Sequence, residues 1–166
     1  MIMMNKGKNL SKSAQIIQDF LFQKGISCEV KELDSSTRTA KDAADTLGCS
    51  VAQIVKSLLF CTEKTNKPVL VLASGVNRVN ESEIERLINE PIGKADADFT
   101  REITGFAIGG VPPVGHKNVI DTALIDEDLL CHEILWAATG TPNAVFSLSP
   151  DELKQLTNGI VVKVRE

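Results

Sequence analysis

Two apolar runs constrain this chain more than any other feature: Lys56-Ser57-Leu58-Leu59-Phe60-Cys61 and Pro68-Val69-Leu70-Val71-Leu72-Ala73. Each has the length of a β-strand, and Asn66 with its neighbours supplies a turn between them. Both runs are apolar on both faces. Strands of that kind sit at the centre of a covered sheet, so the rest of the chain has to supply cover above and below.

The material for that cover lies on either side. Ser11 predicts a cap for a helix through about Lys24, with Ile16, Ile17, Phe20 and Leu21 as its apolar stripe and Gly25 as its stop. Residues 27–33 read as a strand and 34–37 as a polar turn. Thr39 then caps a helix with Ala40, Ala43, Ala44 and Leu47 on one face, closed by Gly48, and Ser50 caps a short helix to about Val55. Asn80 and Glu83 resemble a capping box ahead of Ile84, Leu87 and Ile88, and 96–104 reads as a short helix ended by Gly105. Strands are expected at 106–108, 119–125, 133–138, 144–148 and 160–164. Ser149-Pro150-Asp151-Glu152 starts a last helix, which Asn158-Gly159 ends. One domain over residues 1–166 accommodates all of this, with 1–10 expected to be flexible. Aromatic residues make up 4% and Tyr is absent, so the core is mostly aliphatic. The irregular order of elements predicts an α/β (α+β) domain: a mixed central β-sheet of about seven strands with flanking helices.

Three features carry chemistry. The segment from Thr104 to His116 holds Gly105, Gly109, Gly110 and Gly115 together with Pro112-Pro113. Glycine lets a backbone approach a ligand, and proline stiffens the chain and removes N–H donors while leaving carbonyl acceptors. Such a loop suits a ligand that carries donors, an ammonium or a hydroxyl. It equally fits a tight turn between strands. Lys56 shares a strand face with Leu58 and Phe60, a costly place for a charge unless its head group reaches water or an anion. It reads either as a lysine snorkelling at a sheet edge or as the floor of a pocket for a phosphate or carboxylate. A second Gly/Pro loop, Thr139-Gly140-Thr141-Pro142-Asn143, could form a further wall. His116, beside the first loop, could donate to a ligand or transfer protons near neutral pH, or stand as an exposed loop histidine. His132 is read as structural.

Other classes find little support. Nucleophile-elbow, P-loop and dinucleotide fingerprints are missing. Cys28, Cys49, Cys61 and Cys131 form no C-x-x-C pair and are expected to be buried free thiols. Asp126-Glu127-Asp128 reads as a solvated turn, so neither metal nor cofactor is expected. A net charge of −4 argues against wrapping a long nucleic acid, DNA included, but is compatible with gripping the end of one. No apolar run reaches the roughly 18 residues of a membrane span, and the first residues lack a secretory pattern, so a cytoplasmic location is expected.

These features resemble the YbaK / prolyl-tRNA synthetase editing-domain family, which hydrolyses mischarged aminoacyl-tRNAs, over roughly residues 11–165. Thr37-Arg38-Thr39-Ala40-Lys41-Asp42-Ala43-Ala44 is similar to the family's helix start at the site. Ile54-Val55-Lys56-Ser57-Leu58 is similar to the segment carrying its essential lysine. Gly109-Gly110-Val111-Pro112-Pro113-Val114-Gly115 resembles its Gly-x-x-x-Pro loop, and Gly140-Thr141-Pro142-Asn143 resembles the segment closing its amino-acid pocket. The resemblance implies an aminoacyl-tRNA deacylase that works without a metal by positioning its substrate. Lys56, Gly109 and Gly110 would be the catalytic set. Lys56 would hold the phosphate near the 3′-terminal adenosine, and the Gly109–Pro113 backbone would orient the aminoacyl ester and the ribose hydroxyl. Thr39, Ala40, Ser57, Val111, Pro112, Pro113, Gly115, His116, Gly140, Thr141 and Pro142 would contact substrate. The implied partners are an aminoacyl-tRNA acceptor end, that of tRNA(Pro) bearing a small non-cognate amino acid such as Ala, Cys or Ser, and prolyl-tRNA synthetase. With no synthetase domains in the sequence, action in trans is expected. Some family members carry a histidine in the late pocket loop, and here Gly140-Thr141-Pro142 has none, which leaves the amino-acid preference open. A non-catalytic module binding an acceptor end, a nucleotide or a synthetase is the alternative, and a small-molecule ester or amide hydrolase is a third reading.

Overall fold

A computed structural model describes residues 11–27, 30–33, 39–141 and 143–166. The expectations placed on residues 1–10, Cys28, 34–38 and Pro142 lie outside the described residues. The two apolar runs form β2 (Ile54–Thr62) and β3 (Pro68–Ser74), antiparallel neighbours in register from Val55 opposite Ser74 to Cys61 opposite Pro68. Around them the sheet runs β1 (Val30–Glu32), β7 (Ala144–Leu148), β6 (Leu135–Ala138), β2, β3, β5 (Thr122–Asp126) and β8 (Ile160–Val162). The β6–β2, β3–β5 and β5–β8 pairs are parallel and the others antiparallel, so the sheet is mixed as expected. An eighth strand, β4 (Ile92–Lys94), pairs with the far end of β2. It escaped the sequence reading because three residues carry no periodicity.

Alternation along the central strands sorts side chains into two layers. Val55, Leu70, Leu72, Ala123 and Ile125 face α1 (Lys12–Gln23), α5 (Pro150–Thr157) and the glycine loop, where Ile17, Leu21, Leu153, Phe106, Val111 and Val114 close the core. Phe60, Val69, Val71, Ala73 and Leu124 face α3 (Glu81–Ile88) through Ile84. A smaller cluster packs Ala43 and Ala44 of α2 (Ala40–Leu47) on Ile54. Capping chemistry sets the helix starts: Ser11, Thr39, Asn80, Asp96 and Ser149 each accept a backbone N–H of the first turn.

Several expectations are corrected. Residues 106–108 form no strand: Thr104 ends α4 (Ala97–Thr104), its hydroxyl accepts the Phe106 N–H at 3.0 Å, and the chain turns at once. The strand expected from Val119 begins at Thr122, and Val119 is exposed. Ile16 and Leu87 also lie outside the core. Val51–Gln53 is a single 3-10 turn, and Ile54 already belongs to β2. Cys131 is exposed and Cys49 and Cys61 are only half-buried, so these thiols are not core residues. Asp126 is not a solvated acid: it ends β5 fully buried, and only Glu127 of the trio is exposed.

Candidate active site

The site arises where the sheet divides. On one edge β2 pairs with β3 along seven residues. On the other edge it is shared: β6 takes Ile54 and Val55, and β4 takes Phe60 to Thr62. Pairing therefore lapses between Val55 and Phe60, and the Ala95 N–H bond to the Leu59 carbonyl, at 3.2 Å, marks where β4 closes up again. A cleft of about 850 Å³ opens at this lapse, within the range that holds a nucleoside-sized ligand.

Lys56 enters it from the α3 side. Its Nζ donates to the Asn77 main-chain carbonyl at 2.6 Å, which leaves donors free for a ligand. Burial pushes the Lys56 ammonium below the ordinary lysine range, and the Asp126 carboxylate pulls it back up. Lys41, Arg78 and Lys94 also line the cleft, against a single carboxylate among the described residues, Glu81. A chain of net charge −4 thus concentrates positive charge at this opening.

Ser57 enters from the opposite layer, beside the glycine loop. That loop is closed at its base: Lys117 N–H donates to Thr104 O at 3.0 Å and Asn118 N–H to Ile103 O at 2.9 Å. Inside it, Phe106, Val111, Pro112, Pro113 and Val114 are all buried. His116 Nε2 bonds the Pro112 carbonyl at 2.7 Å across the loop. Burial lowers the His116 pKa and the bond to Pro112 raises it in part. The loop is therefore stiff, but the Pro112 carbonyl is spent inside the protein. Ile108, Gly109 and Val111 reach the cleft. Gly110 lies against the second loop: a Cβ there would stand 3.0 Å from Gly140 O and 3.3 Å from Thr141 N. Two buried hydroxyls of the lining, Ser57 Oγ and Thr141 Oγ1, have no hydrogen-bond partner among the described residues. A buried polar atom without a partner is costly, and a ligand that supplies one removes the cost.

Of the candidate residues, Lys56, Ser57, Thr39, Ala40, Gly109, Val111 and Thr141 line this cleft together. Gly110 and Gly140 stand behind the lining, Pro112, Pro113, Gly115 and His116 form the body of the first loop, and Pro142 lies outside the described residues. Sequence reasoning missed Gly75, Asn77, Arg78, Lys94 and Trp136. Gly75 could have been suspected, since it follows a strand directly. A Cβ there would overlap Val51 O and lie 2.9 Å from Ala40 Cβ. Lys94 carried no signal, because β4 carried none.

Residues 34–156 match the model of the aminoacyl-tRNA editing domain. The crystal structure of a candidate trans-editing enzyme for prolyl-tRNA synthetase superposes with a TM-score of 0.90 and 47% identity, covering 95% of this chain and 99% of that one. A proline–tRNA ligase of Thermodesulfovibrio yellowstonii is 37% identical over 93 residues, which span 55% of this chain and 16% of the ligase. The candidate Cys-tRNA(Pro)/Cys-tRNA(Cys) deacylase EbsC of Enterococcus faecalis is 26% identical over 122 residues, 73% of each protein. With three quarters of its length matched and its fold reproduced, the chain belongs to the aminoacyl-tRNA editing domain family.

Proposed function

We propose that this cleft cleaves the ester between a small non-cognate amino acid and the 3′ end of tRNA(Pro), with the domain acting in trans. The reaction class follows from the family: the chain is an aminoacyl-tRNA deacylase. The observation that carries the finer reading is the meeting of Lys56, the Gly109 loop and two partnerless hydroxyls in one cationic cleft. Lys56 binds the phosphate of the terminal adenosine. The Gly109–Gly110 backbone and the Ser57 and Thr141 hydroxyls hold the aminoacyl ester and the ribose hydroxyls. Water attacks the ester carbonyl, positioned with help from the neighbouring substrate hydroxyl; the carbonyl–oxygen bond to ribose breaks, the ribose oxygen takes the proton, and the free amino acid leaves.

The described lining offers no histidine or cysteine, and Ser57 Oγ has no base beside it to activate it as a nucleophile. Rate enhancement therefore rests on positioning and electrostatics. Val111, Thr141, Ala137 and Ala138 leave room beside the loop for a small side chain such as that of alanine, serine or cysteine. The proline–tRNA ligase relative supports tRNA(Pro) as substrate and prolyl-tRNA synthetase as a partner. The test is single-turnover deacylation of Ala-, Cys- and Ser-tRNA(Pro) by wild type and Lys56→Ala. Turnover of at least one substrate, lost at least a hundredfold in a folded variant, is expected. Binding of the acceptor end without turnover would favour a non-catalytic module, and turnover of free aminoacyl esters equal to that of charged tRNA would favour a small-molecule hydrolase.

A further inference from the structure

Behind Lys56 stands a polar assembly that the reaction as described does not use. Asp126 is fully buried and is surrounded by donors. Its Oδ2 accepts the Ser74 N–H at 2.9 Å and the Asn77 side-chain amide at 2.8 Å, and its Oδ1 accepts the Asp128 N–H at 2.9 Å. All three partners donate, which is the pattern an ionised carboxylate takes. The Asn77 amide is used up, since its second bond goes to Asp128 Oδ2 at 2.8 Å. Asp128 is held in turn by Arg165 Nε at 2.8 Å. The Asn77 N–H donates to Ser74 O at 2.9 Å, so the turn from Ser74 to Asn77 is clasped both by its own backbone and by Asp126. Beside Gly75, which lines the cleft, the turn offers the Asn77 carbonyl, which receives Lys56 Nζ.

We infer that Asp126 is a positioning residue for Lys56: it fixes the Asn77 carbonyl that aims the ammonium into the cleft and sets a negative charge behind it. The inference rests on the deacylase reading for its effect on rate, but not for its effect on Lys56. A hydrogen-bonded turn alone could be built with a neutral side chain. A buried carboxylate is costly, and here its charge does what an amide could not: it opposes the burial that drives the ammonium toward its neutral form. Among the described residues, the other charged groups around Lys56 are Lys41 on α2, Arg78 before α3, Glu81 on α3 and Lys94 on β4, with Asp128 and Arg165 behind Asn77. Three of the four at the cleft are cations; burial lowers Lys56 on balance, and Asp126 is the charge that opposes it in part.

The test compares wild type with Asp126→Asn, and needs no substrate for its first half. Lysine Cε is labelled with carbon-13 and the Lys56 resonance, assigned by its loss in Lys56→Ala, is followed through an alkaline titration. Lys56 is expected to deprotonate at lower pH in Asp126→Asn than in wild type. In single-turnover deacylation the variant is expected to lose activity progressively as pH rises, and to recover much of the wild-type rate on acidification. A Lys56 titration unmoved in the folded variant, or a rate loss equal at every pH, overturns the inference. Where Asp126→Asn fails to fold, Asn77→Ala replaces it. That variant keeps the carbonyl but frees the turn, and is expected to lower the rate ten- to a hundredfold, the scale of an ~1 Å misplacement, with the Lys56 titration nearly unmoved. A folded Asn77→Ala with the wild-type rate overturns the inference. If wild type deacylates nothing but Lys56 still titrates as expected, the clasp stands and the deacylase reading falls.

Discussion

Gly140→Ala isolates how tightly the two loops of the site are built against the core. Gly140 has φ +103°, where an L side chain is strained by about 1–2 kcal/mol. A Cβ there would also stand 2.6 Å from Ser13 Cβ and 2.7 Å from two ring carbons of Phe106. Neither neighbour yields easily. Ser13 belongs to α1, and the Phe106 ring is only 5% exposed and packed among Val111, Val114 and Ile17. Overpacking of that kind costs about 1–3 kcal/mol. Together the two terms give about 2–5 kcal/mol, and in a domain of this size each kcal/mol lowers Tm by about 2–4 °C. The expected fall is therefore about 4–20 °C. Gly48→Ala is the control: φ is +73°, but nothing lies within 4 Å of the added carbon, so it carries the conformational cost alone. Thermal unfolding followed by circular dichroism should rank wild type above Gly48→Ala and Gly48→Ala above Gly140→Ala. If Gly140→Ala melts no lower than Gly48→Ala, the contact between the second loop, α1 and Phe106 is not the close packing described.

Two further outcomes follow from the same geometry. Thr141→Val keeps the shape of the side chain and removes a buried hydroxyl without a partner, so stability should stay level or rise by up to about 2 kcal/mol while deacylation falls. A loss of stability, or unchanged activity, would show that the hydroxyl serves the fold rather than the substrate. His116 binds a proton less readily in the folded chain than in the unfolded one, because burial outweighs its bond to Pro112. Between the lowered folded value and the ordinary 6.5, the unfolded state holds more proton, so stability is fully present above about 6.5 and declines as pH falls through that window. His116→Gln removes the titration, and its Tm should drop less than that of wild type between pH 7 and pH 5; an equal drop would place the acid sensitivity elsewhere.

The parts of this structure legible in the sequence are those decided locally. Helix caps at Ser11, Thr39, Asn80 and Ser149 are set by one side chain and the next three residues, and they stand where the sequence puts them. The strands β2 and β3 were readable because apolar residues occupy both faces of each run; β3 is buried along nearly its whole length, whereas β2 is only half-buried from Lys56 to Leu59, where the cleft opens. What failed depended on partners far away in sequence. Phe106-Ala107-Ile108 has a strand's composition, but the Thr104 hydroxyl captures the Phe106 N–H and the segment packs as a loop. Asp126 looks like one of three surface acids until Ser74 and Asn77 arrive with donors from some 50 residues upstream. The same holds within the site. Lys56 was conspicuous as a charge on an apolar strand face, whereas Lys94 and Arg78 sit in short segments without periodicity and acquire meaning only from the cleft beside them.

The division of the second edge of β2 explains why neighbouring residues of one strand can serve one ligand. Adjacent side chains on a strand point to opposite faces, so Lys56 and Ser57 would open into separate layers of an intact sheet. Ser57 would then be one more buried hydroxyl in need of an internal partner, and Lys56 a charge sealed under α3. Because β6 leaves after Val55 and β4 joins only at Phe60, the two layers communicate at this point. An anion held by Lys56 and a group held by Ser57 and the Gly109 loop can then belong to the same molecule. A substrate with a phosphate a few bonds from an ester has that form. The lapse in pairing leaves part of the sheet unfinished, and unfinished backbone is unfavourable wherever water cannot reach it. An open cleft meets that condition, so the opening proposed to admit the substrate also makes the break in the sheet tolerable.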